Sequence, residues 1–177
     1  MALKPTIYKF RIALTNLNSD YYDTLNLTVA QHPSETGIRM LARILAYALN
    51  ADQKPSFTKG LSTTDEPDLW SLDLTGKPTL WIDIGEPSFD RIKKAARLAT
   101  QSKVYCFNSK ANQWWQQIQN KLTGLNTEIT YLGCDSLLEL SESLPRTIDM
   151  SIMISGDTLY LDTNDANYEV VIEQWRG

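Results

Sequence analysis

Residues 65–95 read DEPDLWSLDLTGKPTLWIDIGEPSFDRIKKA. Two strand-like segments, 68–72 and 79–84, flank TGKP, whose composition marks a tight turn. Each segment carries an acid, Asp68 and Asp83. Side chains alternate along a strand, so Leu80, Ile82 and Ile84 share one face while Trp81 and Asp83 share the other. A hairpin at the turn brings the two acids side by side. Adjacent carboxylates repel, so one of them takes a proton or a cation joins them. Mg²⁺ commonly uses one or two protein carboxylates and fills its shell with water and phosphate. The pair is therefore a candidate site for phosphodiester hydrolysis assisted by Mg²⁺ or Mn²⁺. The competing reading is a pair of solvated acids at strand rims.

Downstream, Phe89 to Thr100 has helical spacing, with Ile92, Ala95, Ala96 and Ala99 on a narrow face suited to close packing on a sheet. Arg91, Lys93, Lys94 and Arg97 occupy its polar arc. On a helical wheel Arg91 and Lys93 flank the buried stripe, and Lys94 points further out with a stem long enough to snorkel. Upstream, residues 34–50 form a second helical stripe through Ile38, Leu41, Leu45 and Ala48, with Ser34 as the expected N-cap. Glu35 stands in its first turn, where the helix dipole favours a carboxylate. His32 is the single histidine, which excludes schemes needing two imidazoles, and Pro33 after it favours an extended junction. The remaining middle segments are a strand KVYCF, a helix containing Trp114 and Trp115, a strand EITYL and a short helix DSLLELSESL. One helical stripe cannot bury both tryptophans, so one of them is a candidate for stacking or partner contact.

Both flanks read as strands. TIYKFRIAL and YDTLNLTVA alternate polar and apolar residues across the turn NLNSD; TIDMSIMIS, DTLYLD and YEVVIEQW follow near the other end of the chain. Pairing these flanks into one antiparallel sheet is the expected solution, because isolated hairpins are marginal in water. The expectation is thus a single domain over 1–177, with an α/β core at 32–145 and an antiparallel β sub-domain made of 1–31 and 146–177.

Composition sets the outer limits. At 177 residues with 42% apolar residues the chain suits a globular domain. A net charge of −4 supplies no general attraction for nucleic acid, so such binding would need a local patch or a metal bridge. Charges interrupt the first residues and the apolar run IRMLARILAYAL, which argues against a secretion signal or a membrane span and for a cytoplasmic protein. Cys106 and Cys134 are expected to be reduced, with Cys106 an inert core thiol.

The blocks VAQHPSETGIRMLARILAYAL, GLSTTDEPDLW, LWIDIGEPSFDRIKKA, VYCFNS and WW, in this order, resemble the bacterial YaeQ family over essentially the whole chain. The resemblance implies a fold of the PD-(D/E)XK restriction-endonuclease-like class: helix, three-strand meander, helix and strand, plus antiparallel strands from both ends. It would make Asp68 and Asp83 the metal-binding acids, with Glu35 in support. Gly85 stands where that motif wants lysine, so the cation would come from the following helix. The family pattern implies Lys94, while the wheel favours Lys93. Two activities follow: a metal-dependent nuclease, or a non-catalytic module that binds a protein or nucleic-acid partner, with His32, Arg91, Trp114 and Trp115 as contacts. A structural oligomer built through the exposed terminal strands is a third.

Overall fold

The computed structural model describes residues 3–59 and 65–177. They divide into two compact units, one comprising the chain through Asp52 together with Gly133–Ile172, the other Gln53–Leu132 together with Glu173–Gly177.

In the first unit, strands β1 (Thr6–Asn16) and β2 (Tyr21–Gln31) form an antiparallel hairpin, Thr6 opposite Gln31 and Asn16 opposite Tyr21. Every second side chain turns inward: Phe10, Ile12 and Leu14 from β1, Leu25, Leu27 and Val29 from β2, all buried. Burying each such side chain contributes roughly 1.5–3 kcal/mol. Strand β8 (Thr147–Ser155) runs beside β1, followed by β9 (Thr158–Thr163) and β10 (Asn167–Arg176), in the order β2-β1-β8-β9-β10. Helix α1 (Gly37–Leu49) buries Met40, Leu41, Ile44, Leu45 and even Arg43. Thr36, not Ser34, is its N-cap, its hydroxyl accepting the Arg39 N–H at 3.2 Å. At Gly37 the backbone comes so close to Ser141 of helix α4 (Leu138–Glu142) that an added Cβ would meet the Ser141 carbonyl.

The buried Arg43 has a partner. Its guanidinium grips Glu35 with Nη2 at 2.6 Å and Nε at 3.0 Å, while Arg39 adds a bond at 2.7 Å. Arg43 also donates to the Ala30 carbonyl at 3.0 Å, pinning α1 to β2.

The second unit is ordered β7-β6-β5-β4-β3, using β3 (Ser56–Phe57), β4 (Leu69–Leu72), β5 (Pro78–Ile84), β6 (Gln101–Cys106) and β7 (Thr127–Leu132). The β4–β5 pair is antiparallel, whereas β5–β6 and β6–β7 are parallel. Parallel neighbours need crossovers, supplied by helices α2 (Phe89–Leu98) and α3 (Ala111–Ile118). Trp81 packs on Ala95 and Ala99, the small-residue face expected of α2, and Trp70 meets Trp81 edge-on at 6.0 Å. A second cluster gathers Ile92, Val104, Cys106, Ala111, Ile118, Leu122 and Ile129. The end of β10 belongs to this unit: Trp175 stacks on Tyr131 at 5.1 Å, and Arg176 caps the carbonyls of Leu122, Leu125 and Thr127.

These observations correct the expected fold class. The chain is strand-dominated, with ten strands among the described residues and 42% strand against 27% helix. It is not a PD-(D/E)XK restriction-endonuclease-like core of helix, three-strand meander, helix and strand with an antiparallel sheet added. Helix α1, assigned by that expectation to the nuclease core, packs within the first unit. The flanking strands do not form a purely antiparallel sheet either: β1 and β8 are parallel, Lys9 beside Thr147 through Asn16 beside Ile154. Alternation explains the misreading, since it names the buried face of a strand without giving its direction.

Replacing Arg43 with Ala would leave the Glu35 carboxylate buried without its bidentate partner, a loss of about 3–5 kcal/mol in stability. Urea unfolding of Arg43→Ala against wild type measures it. Glu35→Gln in the Arg43→Ala background should recover part of that loss.

Candidate functional site

The acids singled out from the sequence are buried polar groups. Asp68 is 5% exposed and Asp83 2%. Asp68 immediately precedes β4; its N–H bonds the Ile82 carbonyl at 3.0 Å and its Oδ2 accepts the Ile84 N–H at 2.8 Å. Asp83 sits on the neighbouring strand β5, on the Trp81 side, where the indole Nε1 donates to its Oδ2 at 3.2 Å. The hairpin thus brings the two carboxylates within electrostatic reach of one another at the end of β5.

A cation meets Asp83, and it is an arginine. Arg91, in the first turn of α2, donates from Nη2 to Asp83 Oδ1 at 2.9 Å and to the Glu66 carbonyl at 2.9 Å. Burial pushes the Asp83 carboxyl up from the ordinary carboxylate range. Arg91 pulls it back, and the Asp68 charge adds to the upward push.

The lysines proposed for this role lie elsewhere. Lys94 makes an exposed ion pair with Asp65 at 3.3 Å, and Lys93 is exposed on the outer face of α2. Glu35 belongs to the first unit, and its carboxylate is held there by Arg39 and Arg43. Among the described residues, no group of three or more His, Cys, Asp and Glu is placed to hold a metal ion. His32 makes a local turn: Nδ1 accepts the Ser34 N–H at 3.1 Å and contacts its hydroxyl at 2.7 Å. Trp114 and Trp115 are both half-buried. Trp114 donates to the Pro87 carbonyl at 2.7 Å, and Trp115 joins Trp175 at 5.9 Å. The two thiols are free and buried, and burial pushes both Cys106 and Cys134 up to about 12.

One residue was missed outright. Glu86, next to Gly85 at φ 106°, receives the Phe107 N–H at 3.3 Å and the Asn108 side-chain amide, tying the loop after β5 to the loop after β6. Its signal was its place just after the strand, because residues following parallel strands share one end of the sheet. No helix among the described residues is long and apolar enough to cross a membrane.

The fold has counterparts. Solved structures of YaeQ proteins from Xanthomonas axonopodis pv. citri and Pseudomonas syringae superpose with TM-scores of 0.93 and 0.92 at 30% and 33% identity. Each superposition covers 98% of this chain, and 99% and 97% of the two solved chains. The uncharacterized YaeQ proteins of Salmonella typhi and Escherichia coli strain K12 are 38% and 37% identical over 99% of this chain and 98% of their own. The family profile described as YaeQ protein matches residues 1–172, and the chain belongs to the YaeQ family.

Proposed function

We propose that the Asp68–Asp83 pair, with Arg91 beside it, is a Mg²⁺- or Mn²⁺-dependent site for hydrolysing phosphodiester bonds in nucleic acid. The observation that carries this reading is the burial of two neighbouring carboxylates, one of them with raised proton affinity. The donor chemistry fits a hard divalent cation, which prefers carboxylate oxygen. Such an ion supplies charge neutralisation and an acidified water.

The chain's own groups do the rest. Asp83, held by Trp81 Nε1, and Asp68, held by the Ile84 N–H, are pre-oriented by neighbours that the sheet fixes. Arg91 is bound to Asp83 and to the Glu66 carbonyl. The planar fork of its guanidinium is suited to a phosphate. Arg91 then takes the part expected of a lysine. A second reading, a non-catalytic module binding a protein or nucleic-acid partner, is favoured by the same ion pair, which already neutralises Asp83.

The two readings separate in calorimetry with Mn²⁺ and in cleavage assays on single- and double-stranded DNA and RNA. The enzymatic reading expects Mn²⁺ binding by the wild type, its loss in Asp83→Asn, and a fall in cleavage of about 10²-fold or more, since one electrostatic partner of a transition state is commonly worth that much. Arg91→Ala should bind Mn²⁺ more tightly, by about tenfold, and cleave less, because the competing guanidinium is gone. Equal cleavage by wild type and Asp83→Asn, with no Mn²⁺ binding by either, overturns it.

Cation affinity should also fall as pH is lowered, because protons compete for the same carboxylate. Burial raises Asp83, so the fall should begin at a higher pH than an ordinary aspartate would give. Mn²⁺ titrations across pH 4–8 measure it.

A further inference from the structure

Strand β2 is the terminal strand of its sheet, and the phase of the ladder decides which of its groups point outward. The N–H groups of Lys9 and Leu17 bond the carbonyls of Arg146 and Ile154, so odd-numbered residues of β1 turn their main-chain groups toward β8. Even-numbered ones turn toward β2. Phe10 lies opposite Leu27 and Ile12 opposite Leu25, so the odd residues of β2 complete that ladder. The even residues Tyr22, Thr24, Asn26, Thr28 and Ala30 therefore direct N–H and C=O away from the sheet.

Among the described residues, two of these outward groups are capped within the chain. Asp23 Oδ1 accepts the Thr24 N–H at 2.8 Å, and Arg43 donates to the Ala30 carbonyl at 3.0 Å. Edge strands usually guard themselves with lysine, proline or a bulge. In Tyr21–Gln31, YYDTLNLTVAQ, there is neither lysine nor proline, and the register with β1 is unbroken.

We propose that this edge pairs with the same edge of a second copy of the chain, antiparallel about a two-fold axis at Leu27. In that register Asn26 faces Thr28 of the second copy, and each pair can exchange both main-chain hydrogen bonds. Thr24 faces Ala30 of the second copy. The bond lost there runs from the Thr24 N–H to the Ala30 carbonyl, the two groups already capped internally. Sliding by two residues in either direction sets a free group, the Thr28 carbonyl or the Asn26 N–H, against a capped one. The pattern of caps is thus complementary to itself, as an isologous interface requires. Asp23, the strand's single charge, faces Gln31 of the second copy, so no like charges meet. Leu27, at 8% the most exposed of the inward residues Leu25, Leu27 and Val29, meets its own counterpart on the axis.

The test is hydrodynamic and chemical. Sedimentation of the wild type should show a concentration-dependent dimer. Asn26→Pro removes an outward N–H while sparing the β1–β2 ladder, and should weaken the dimer by at least about tenfold, the equivalent of about 1.4 kcal/mol. Cysteine cross-linking fixes the register: residues opposed in a non-hydrogen-bonded pair lie about 4.5 Å apart at Cα, within disulfide reach. Oxidation should therefore link Leu27→Cys dimers and spare Leu25→Cys, which faces residue 29 of the second copy. The native thiols are buried and should not interfere. A wild type that remains monomeric at millimolar concentration overturns the proposal. So does cross-linking of Leu25→Cys as ready as that of Leu27→Cys.

Discussion

A carboxylate removed from water must be matched, and three matched carboxylates organise this protein. An unpaired buried charge would cost several kcal/mol even after relaxation. Each acid has its own remedy. Glu35 lies in a bidentate arginine grip that also fastens a helix to a strand. Asp68 accepts the main-chain N–H of Ile84, which locks the start of β4 to the end of β5. Asp83 shares an indole N–H and a guanidinium. The first remedy fastens architecture, with three arginine N–H groups on one carboxylate. The third uses a partner on a helix start that is 30% exposed and so open to solvent.

That contrast shows what the sequence could and could not reveal. The hairpin carrying Asp68 and Asp83 was legible because a turn composition separated two alternating segments, and the small-residue face of α2 was legible because Ile92, Ala95 and Ala99 follow helical spacing. Glu35 looked like a fellow of the two aspartates, yet Arg39 and Arg43, four and eight residues on in α1, both reach back to its carboxylate. That spacing is the signal in the sequence that pairs Glu35 with arginines.

The fold class went astray for a related reason. A chain order of helix, strands, helix and strand is shared by several architectures, and neighbour relations in a sheet are set by long-range pairing that no local pattern reports. The parallel contact of β1 with β8 is the clearest instance: in the observed register Phe10 lies beside Ile148 and Ile12 beside Met150, but the alternating apolar positions would match equally well with the direction reversed. The helical wheel ranks the lysines only by angle around the helix. Reach to the end of β5 depends on position along it, and Arg91 is nearest the start.

Neither compact unit is continuous in the chain. The first needs Gly133–Ile172 beside its opening hairpin, and the second needs Trp175 and Arg176 to finish the aromatic stack and cap the carbonyls near β7. A ribosome delivers residues in order, so the usual scheme in which an early domain closes while later ones are still being made is denied to both halves. β1 must wait for β8 with more than a hundred residues of chain between them, and such closures are intrinsically slow. During that interval the opening hairpin lacks its β8 neighbour, and an unpaired strand edge is what makes an incomplete chain prone to aggregate.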